Sequence, residues 1–316
     1  MKKEVLLFIA LILASVFPLM PAILGDTLET VVSVANVAPY ILRSEMYVFV
    51  NVGDDDNGYM SLSENSTVQV TCNGTIHDAN GQSDISSLSG TLYDAGASNH
   101  ADSDDNNKHY TNSSCVLFSG SGTTRGGECQ FTVWYYANNA TWQCNLSAVD
   151  SGSNENSTYK NRTIAKLIAL MVPPDINFGN LNPGDTSGVN KTNITNSGNV
   201  DLGIKVYGYA NNATTSPNAM NCTAGQDKNI SLFYMHYNVT NPSCTGFSWT
   251  ANYANLTNET NEVSWDSINL YQRQNDNIES KNTTCWVLKI PSGTEADVSG
   301  TCKGIISFTA CEDGTC

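Results

Sequence analysis

Thr67-Val-Gln-Val-Thr-Cys-Asn-Gly-Thr-Ile-His-Asp78 and Thr141-Trp-Gln-Cys-Asn-Leu-Ser-Ala-Val-Asp150 are the two stretches whose reading decides the fold. Successive side chains of an extended strand point to opposite faces. The first stretch therefore puts Val68, Val70, Cys72 and Ile76 on one face, and the second does the same for Trp142, Cys144, Leu146 and Ala148. Each cysteine shares the phase of the apolar residues, so both point into a core. A bridge from Cys72 to Cys144 then crosses between two facing sheets, and Trp142, in the phase of Cys144, packs inside with it.

Working outward, helical periodicity is nearly missing beyond the first 25 residues. Short alternating segments recur instead, separated by clusters of Gly, Asn, Asp and Ser. This is the pattern of all-β sandwiches. The length after residue 25 suits two domains of roughly 140 residues each. The expected architecture is two immunoglobulin-like antiparallel sandwiches in series, at 26–172 and 173–316. The seam falls at Met171-Val172-Pro173-Pro174, where two prolines stop strand pairing.

The chain begins Met1-Lys2-Lys3-Glu4, then runs apolar from Val5 to Leu24 with Pro18 and Pro21 near its end. That is a secretory signal layout with a cut expected after Gly25; the run is also long enough to act as a retained anchor. The formal net charge is −15. Such acidity argues against nucleic acid and anionic lipid as partners, and leaves a membrane association only through a retained N-terminal segment. Ten cysteines divide into Cys72, Cys115, Cys129 and Cys144 in the first half and Cys222, Cys244, Cys285, Cys302, Cys311 and Cys316 in the second. With a signal sequence, even numbers in each half read as disulfides of an oxidising compartment. Beside Cys72–Cys144, Cys115–Cys129 would staple the base of the 119–127 loop. In the second half the local set is Cys222–Cys244, Cys285–Cys302 and Cys311–Cys316, one of fifteen connectivities, and the phases of Trp286 and Cys302 conflict with its middle member.

Thr75-Ile-His-Asp-Ala-Asn-Gly-Gln-Ser-Asp-Ile85, with Leu88-Ser-Gly-Thr-Leu-Tyr93 and Ser147-Ala-Val-Asp150, resembles immunoglobulin-like and PKD-type modules of prokaryotic, especially archaeal, surface proteins. Pro174-Asp-Ile-Asn-Phe-Gly-Asn-Leu-Asn-Pro-Gly-Asp-Thr186 and Asn196-Ser-Gly-Asn-Val-Asp-Leu202 resemble secreted sandwich domains of archaeal envelope and bacterial matrix-fibre proteins. Both resemblances imply extracellular structural domains, the first with the inter-sheet bridge just described, and the second carries no active site.

Sixteen Asn-x-Ser/Thr sequons stand at Asn65, Asn73, Asn112, Asn139, Asn145, Asn156, Asn161, Asn190, Asn193, Asn212, Asn221, Asn229, Asn238, Asn255, Asn258 and Asn282. Composition alone supplies roughly half that number, so the excess points to a glycan-coated surface protein. Asn73 and Asn145 adjoin the core cysteines and should turn outward. For a cation, Asp102, Asp104 and Asn106 alternate as calcium-loop ligands do, yet Asn107 and Ser113 stand where that loop wants Gly and Glu. Asp54, Asp55 and Asp56 form a second acidic run, and Asp78, Asn80, Asp84 and Asp150, all at strand ends, can gather at one pole. Nucleophile elbows, zincin helices and phosphate-cradling loops are missing, and four scattered histidines suit surface or strand positions.

The expected function is a secreted structural or adhesive envelope component that needs no cofactor, with calcium the one candidate. Its partners would be other envelope proteins, glycans or a second copy; the strand-like segment 26–52 is expected to pair within its own domain, the alternative being its donation to a neighbour's sheet, which would make a filament. The rival is a secreted carbohydrate- or solute-binding module.

Overall fold

The computed structural model describes residues 29–33, 35–50, 58–265, 268, 270–293, 297–312 and 316. The expected signal segment and the Asp54–Asp56 run lie outside them. Val37–Cys316 form one compact unit.

Ten strands build the first sandwich: β1 (Tyr40–Ile41), β2 (Tyr47–Val50), β3 (Tyr59–Met60), β4 (Thr67–His77), β5 (Ile85–Asp94), β6 (His109–Asn112), β7 (Val116–Ser121), β8 (Thr124–Trp134), β9 (Thr141–Asp150) and β10 (Glu155–Ile164). One sheet runs β1-β4-β8-β7 with β2 also on β4; the other runs β3-β10-β9-β5-β6. All pairings in it are antiparallel except β3 against β10. This is the immunoglobulin order, with two partners on each side of the disulfide-bearing strands. The segment 40–50 thus pairs inside its own sandwich, through Tyr40–His77 and Tyr47–Asn73 registers.

Alternation produces the core as expected. Val70, Cys72 and Ile76 of β4 face Trp142, Cys144, Leu146 and Ala148 of β9, all fully buried. Each such aliphatic side chain removed from water contributes about 1.5–3 kcal/mol. Cys72 bonds to Cys144 and Cys115 to Cys129. Gly90 makes room for this packing, because a Cβ there would lie 2.8 Å from the Cys129 Sγ. Trp142 is sealed in, its indole N–H donating to the Asn138 carbonyl at 2.8 Å. Tyr135 and Tyr136 are adjacent yet both buried, because β8 ends at Trp134 and the backbone turns there.

The second sandwich holds β11 (Leu170–Met171), β12 (Asn190–Asn196), β13 (Leu202–Tyr209), β14 (Asn218–Ala224), β15 (Asn229–Ser231), β16 (Met235–Asn238), β17 (Ala254–Asn255), β18 (Val263–Ser264), β19 (Lys281–Leu288), β20 (Ser299–Lys303) and β21 (Ile305–Glu312). Its sheets run β11-β12-β19-β16-β17, β18-β13-β21 and β15-β14-β20. Leu202, Ile204 and Val206 alternate inward onto Trp286, Tyr237 and Trp265. Leu167 still packs on the first core and Leu170 on the second, so the chain changes core just before the proline pair.

Two expected disulfides are replaced. Cys222 bonds to Cys302, its register partner across β14 and β20. Cys244 bonds to Cys285, and Cys311 to Cys316. The reason is phase: Trp286 and Leu288 point inward, so Cys285 and Val287 point to the outer face of β19, where they cluster with Cys244 and Phe247.

Candidate metal centre and the joint between sandwiches

At one pole of the first sandwich, β4 ends, β5 begins and β9 ends, and each contributes a carboxylate. One ligand oxygen each from Asp78, Asp84 and Asp150 lies within 4.8 Å of the others. Asp78 and Asp150 are buried, at 1% and 2% exposure, while Asp84 is half-buried at the rim. The 78–84 loop is folded locally: Asn80 N–H donates to Asp78 Oδ1 at 2.7 Å, and Asp84 N–H to the Gly81 carbonyl at 2.9 Å. Ser151 closes the far side, its hydroxyl donating to Asp84 Oδ1 and its N–H to the Asp84 carbonyl. Asn154 donates to both oxygens of Asp150, at 2.8 and 2.9 Å. Of the four residues expected at this pole, Asn80 alone is diverted, its Oδ1 accepting from Val37 N–H at 3.0 Å. The all-oxygen cluster can hold a hard metal ion.

Asp102, Asp104 and Asn106 are committed to separate partners. Asp102 accepts from Ser98 and Asn99, and the Asn99 N–H chiefly holds its carboxyl below the usual range. Asp104 meets His109 Nδ1 at 2.9 Å. Asn106 donates to Asp276 in the second sandwich at 2.7 Å. Asp105 organises the loop instead, accepting from the N–H groups of Asn107, Lys108 and His109.

The joint between the sandwiches is polar and buried. Asn199, 1% exposed, sits in the turn between β12 and β13 and reaches into the first sandwich. Its Oδ1 accepts from Leu167 N–H at 2.6 Å, and its Nδ2 donates to the Ala137 and Ala165 carbonyls at 3.1 and 3.0 Å. Asn196 ties the same turn down by donating to the Val200, Leu270 and Tyr271 carbonyls. Between them Gly198 allows the contact, since a Cβ there would fall 2.1 Å from the Leu167 carbonyl. Beside this turn Arg273 lies over the Tyr136 ring, 4.9 Å from its centroid, and donates to the Tyr135 hydroxyl at 3.2 Å. The Tyr136 hydroxyl donates to Asp276, and burial chiefly pushes that phenol well above its ordinary range. In the sequence, Asn196-Ser-Gly-Asn199 reads only as a turn, and nothing singles out Gln272–Asp276.

On the outer face of the second sandwich, His236 is buried between Trp249 and Tyr253, with ring centroids 3.7 and 3.8 Å away and near-parallel planes. Burial is the main cause that lowers its pKa. Phe233 and Tyr253 present exposed rings there. All sixteen sequon asparagines are exposed or half-buried. Asn73 and Asn145 alternate out of phase with Cys72 and Cys144, although Asn145 Oδ1 itself is covered.

No protein-family model matches the chain, and no curated protein does. Among solved structures, carbohydrate-binding modules from the β-sandwich superfamily align at 10% identity and a TM-score of 0.23, over 88% of this chain and 100% of theirs. A collagen adhesin from S. aureus aligns at 10% identity and 0.18, over 85% and 94%. The secreted serine protease VesC from Vibrio cholerae aligns at 12% identity and 0.18, over 80% of this chain and 49% of its own, so the chain spans about half of its length. At these TM-scores the likenesses carry no functional argument. All ten cysteines are paired, which is the chemistry of a secreted or surface protein.

Proposed function

We propose that this is a secreted, N-glycosylated structural or adhesive component of a cell envelope, of the archaeal type, with no catalytic activity. The observation that carries the reading is the distribution of asparagines. Sixteen sequon asparagines stay at or near the surface of both sandwiches, while the three buried ones among the described residues, Asn107, Asn196 and Asn199, all lie outside sequons. Five disulfides fit the same exterior setting. A coat of glycans leaves the ends and the few bare patches for contact, which suits neighbouring envelope proteins, glycans or a second copy as partners. Calcium is the cofactor of this reading, held at Asp78, Asp84 and Asp150.

Immunogold electron microscopy of native cells, with glycopeptide mass spectrometry of the purified protein, tests it. The expected result is surface label and occupied sequons in both halves; unmodified asparagines throughout would overturn the reading. A second reading, a secreted carbohydrate-binding module, is favoured by one observation, the exposed Phe233 ring beside Trp249 with the exposed Tyr253 ring stacked on the neighbouring His236. Binding on a glycan array that is lost in Tyr253→Ala would select it.

A further inference from the structure

The acidic pole has a second property that three neighbouring acids alone would not give it. Asp78 is 1% exposed, and its Oδ2 has no hydrogen-bond partner within the protein. A buried carboxylate oxygen left bare is costly, and the cost falls when a cation sits against it. The position of that carboxylate follows from strand phase. Asp78 stands six residues after Cys72, and Asp150 six after Cys144. Six is an even step, so both carboxylates continue the inward line of their cysteines. The disulfide already joins β4 to β9 across the two sheets. The carboxylates bring the same two strands together again, roughly 20 Å further along at about 3.3 Å per residue.

We infer that a calcium ion at this pole is a second cross-link between the two sheets, tying the ends of β4, β5 and β9, and that external calcium sets the stability of the first sandwich. The inference rests on the calcium reading of the pole given above. Three ligand oxygens within 4.8 Å of one another can share one cation, and calcium accepts carboxylates in a flexible set with backbone and water oxygens, where magnesium demands near-ideal octahedral geometry. Three carboxylates exceed the ion's two charges, so the remaining positions go to neutral oxygens, backbone or water. The nearby Arg125 is turned elsewhere, donating to the Phe118 and Ile85 carbonyls at 2.7 and 3.1 Å.

The test uses the full chain with calcium chloride, against EGTA as baseline and magnesium chloride as control. Calorimetric titration should give a dissociation constant near 10⁻⁴–10⁻³ M, the range of extracellular modules. Saturating calcium should raise the melting midpoint by about 5 °C or more. Asp78→Asn, which removes the bare buried charge, should melt higher than wild type in EGTA and lose the calcium gain. Asp84→Asn, at the half-buried rim, keeps the fold and should weaken calcium binding at least tenfold. Asp102→Asn should change neither quantity. Binding without a shift in midpoint would overturn the cross-link and leave the calcium reading standing. Absence of binding would overturn both, and an equal response to magnesium would overturn the choice of ion. An Asp78→Asn protein that melts lower than wild type in EGTA would refute the role given to its Oδ2.

Discussion

Replacing Asn199 by alanine is the sharpest probe of how the two sandwiches are held. The side chain makes three hydrogen bonds, all into the first sandwich: one accepted from Leu167 and two donated to Ala137 and Ala165. Each is worth about 1 kcal/mol net, and a buried partner left unpaired costs about 1–3 kcal/mol. The deleted amide leaves room for about one water, which can restore part of the loss. The expected destabilisation is therefore about 3 kcal/mol, over a hundredfold in the folding equilibrium. Urea unfolding followed by tryptophan fluorescence reads both sandwiches, since Trp142 lies in one core and Trp286 in the other. Wild type should unfold in one transition and Asn199→Ala in two, because the coupling across the joint is what the substitution removes. Asn199→Asp should be no better: it keeps the acceptor for Leu167 but sets a carboxylate against two carbonyls. A loss below 1 kcal/mol with a single transition retained would refute the reasoning.

Three further outcomes follow from the same geometry. Replacing Cys72 and Cys144 by alanine, a loop of 72 residues, should cost about 4 kcal/mol from chain entropy, against about 2 kcal/mol for Cys311 and Cys316, 5 apart; denaturant midpoints would show the ranking. Leu146→Ala, at a fully buried site of the first core, should cost about 2–5 kcal/mol in the same assay. His236 has its folded pKa lowered by burial, so its neutral form supports stability above the unfolded value, and that support is lost as pH falls through about 6.5 towards the lower folded value; His236→Phe should abolish this part of the acid dependence of the melting midpoint.

Much of the first sandwich was legible because one rule, period-two alternation, governs several observables at once. Cys72, Cys144, Trp142 and Leu146 fell on predicted faces, and the bridge followed. Cys222–Cys302 was not legible, since it depends on the register of β14 against β20, strands nearly eighty residues apart whose pairing is set by the tertiary fold. The outward phase of Cys285 was visible in Trp286, but its partner sits in an irregular loop without periodicity. The Asp102, Asp104 and Asn106 pattern misled because alternation of oxygen donors describes a ligand set only if the backbone wraps one point. Here Asp105 takes three backbone N–H groups and turns its neighbours to other partners. The pole at Asp78, Asp84 and Asp150 was readable for the reason the disulfide was: its outer members share the cysteines' phase.

The joint also explains why its asparagines lie outside sequons. Asn196 is followed by Ser197 and Gly198, Asn199 by Val200 and Asp201, and Asn107 by Lys108 and His109, so none offers the hydroxyl at the third position. Each donates its amide nitrogen to carbonyls in the buried joint, the atom a glycan would occupy. An apolar interface would have left the angle between the sandwiches to shape alone, whereas these bonds fix it by direction, three from one side chain and a stacked guanidinium beside it. Buried amide bonds at the joint and sequons everywhere around it make opposite demands on one residue type, and the third position of the tripeptide is where the chain separates them.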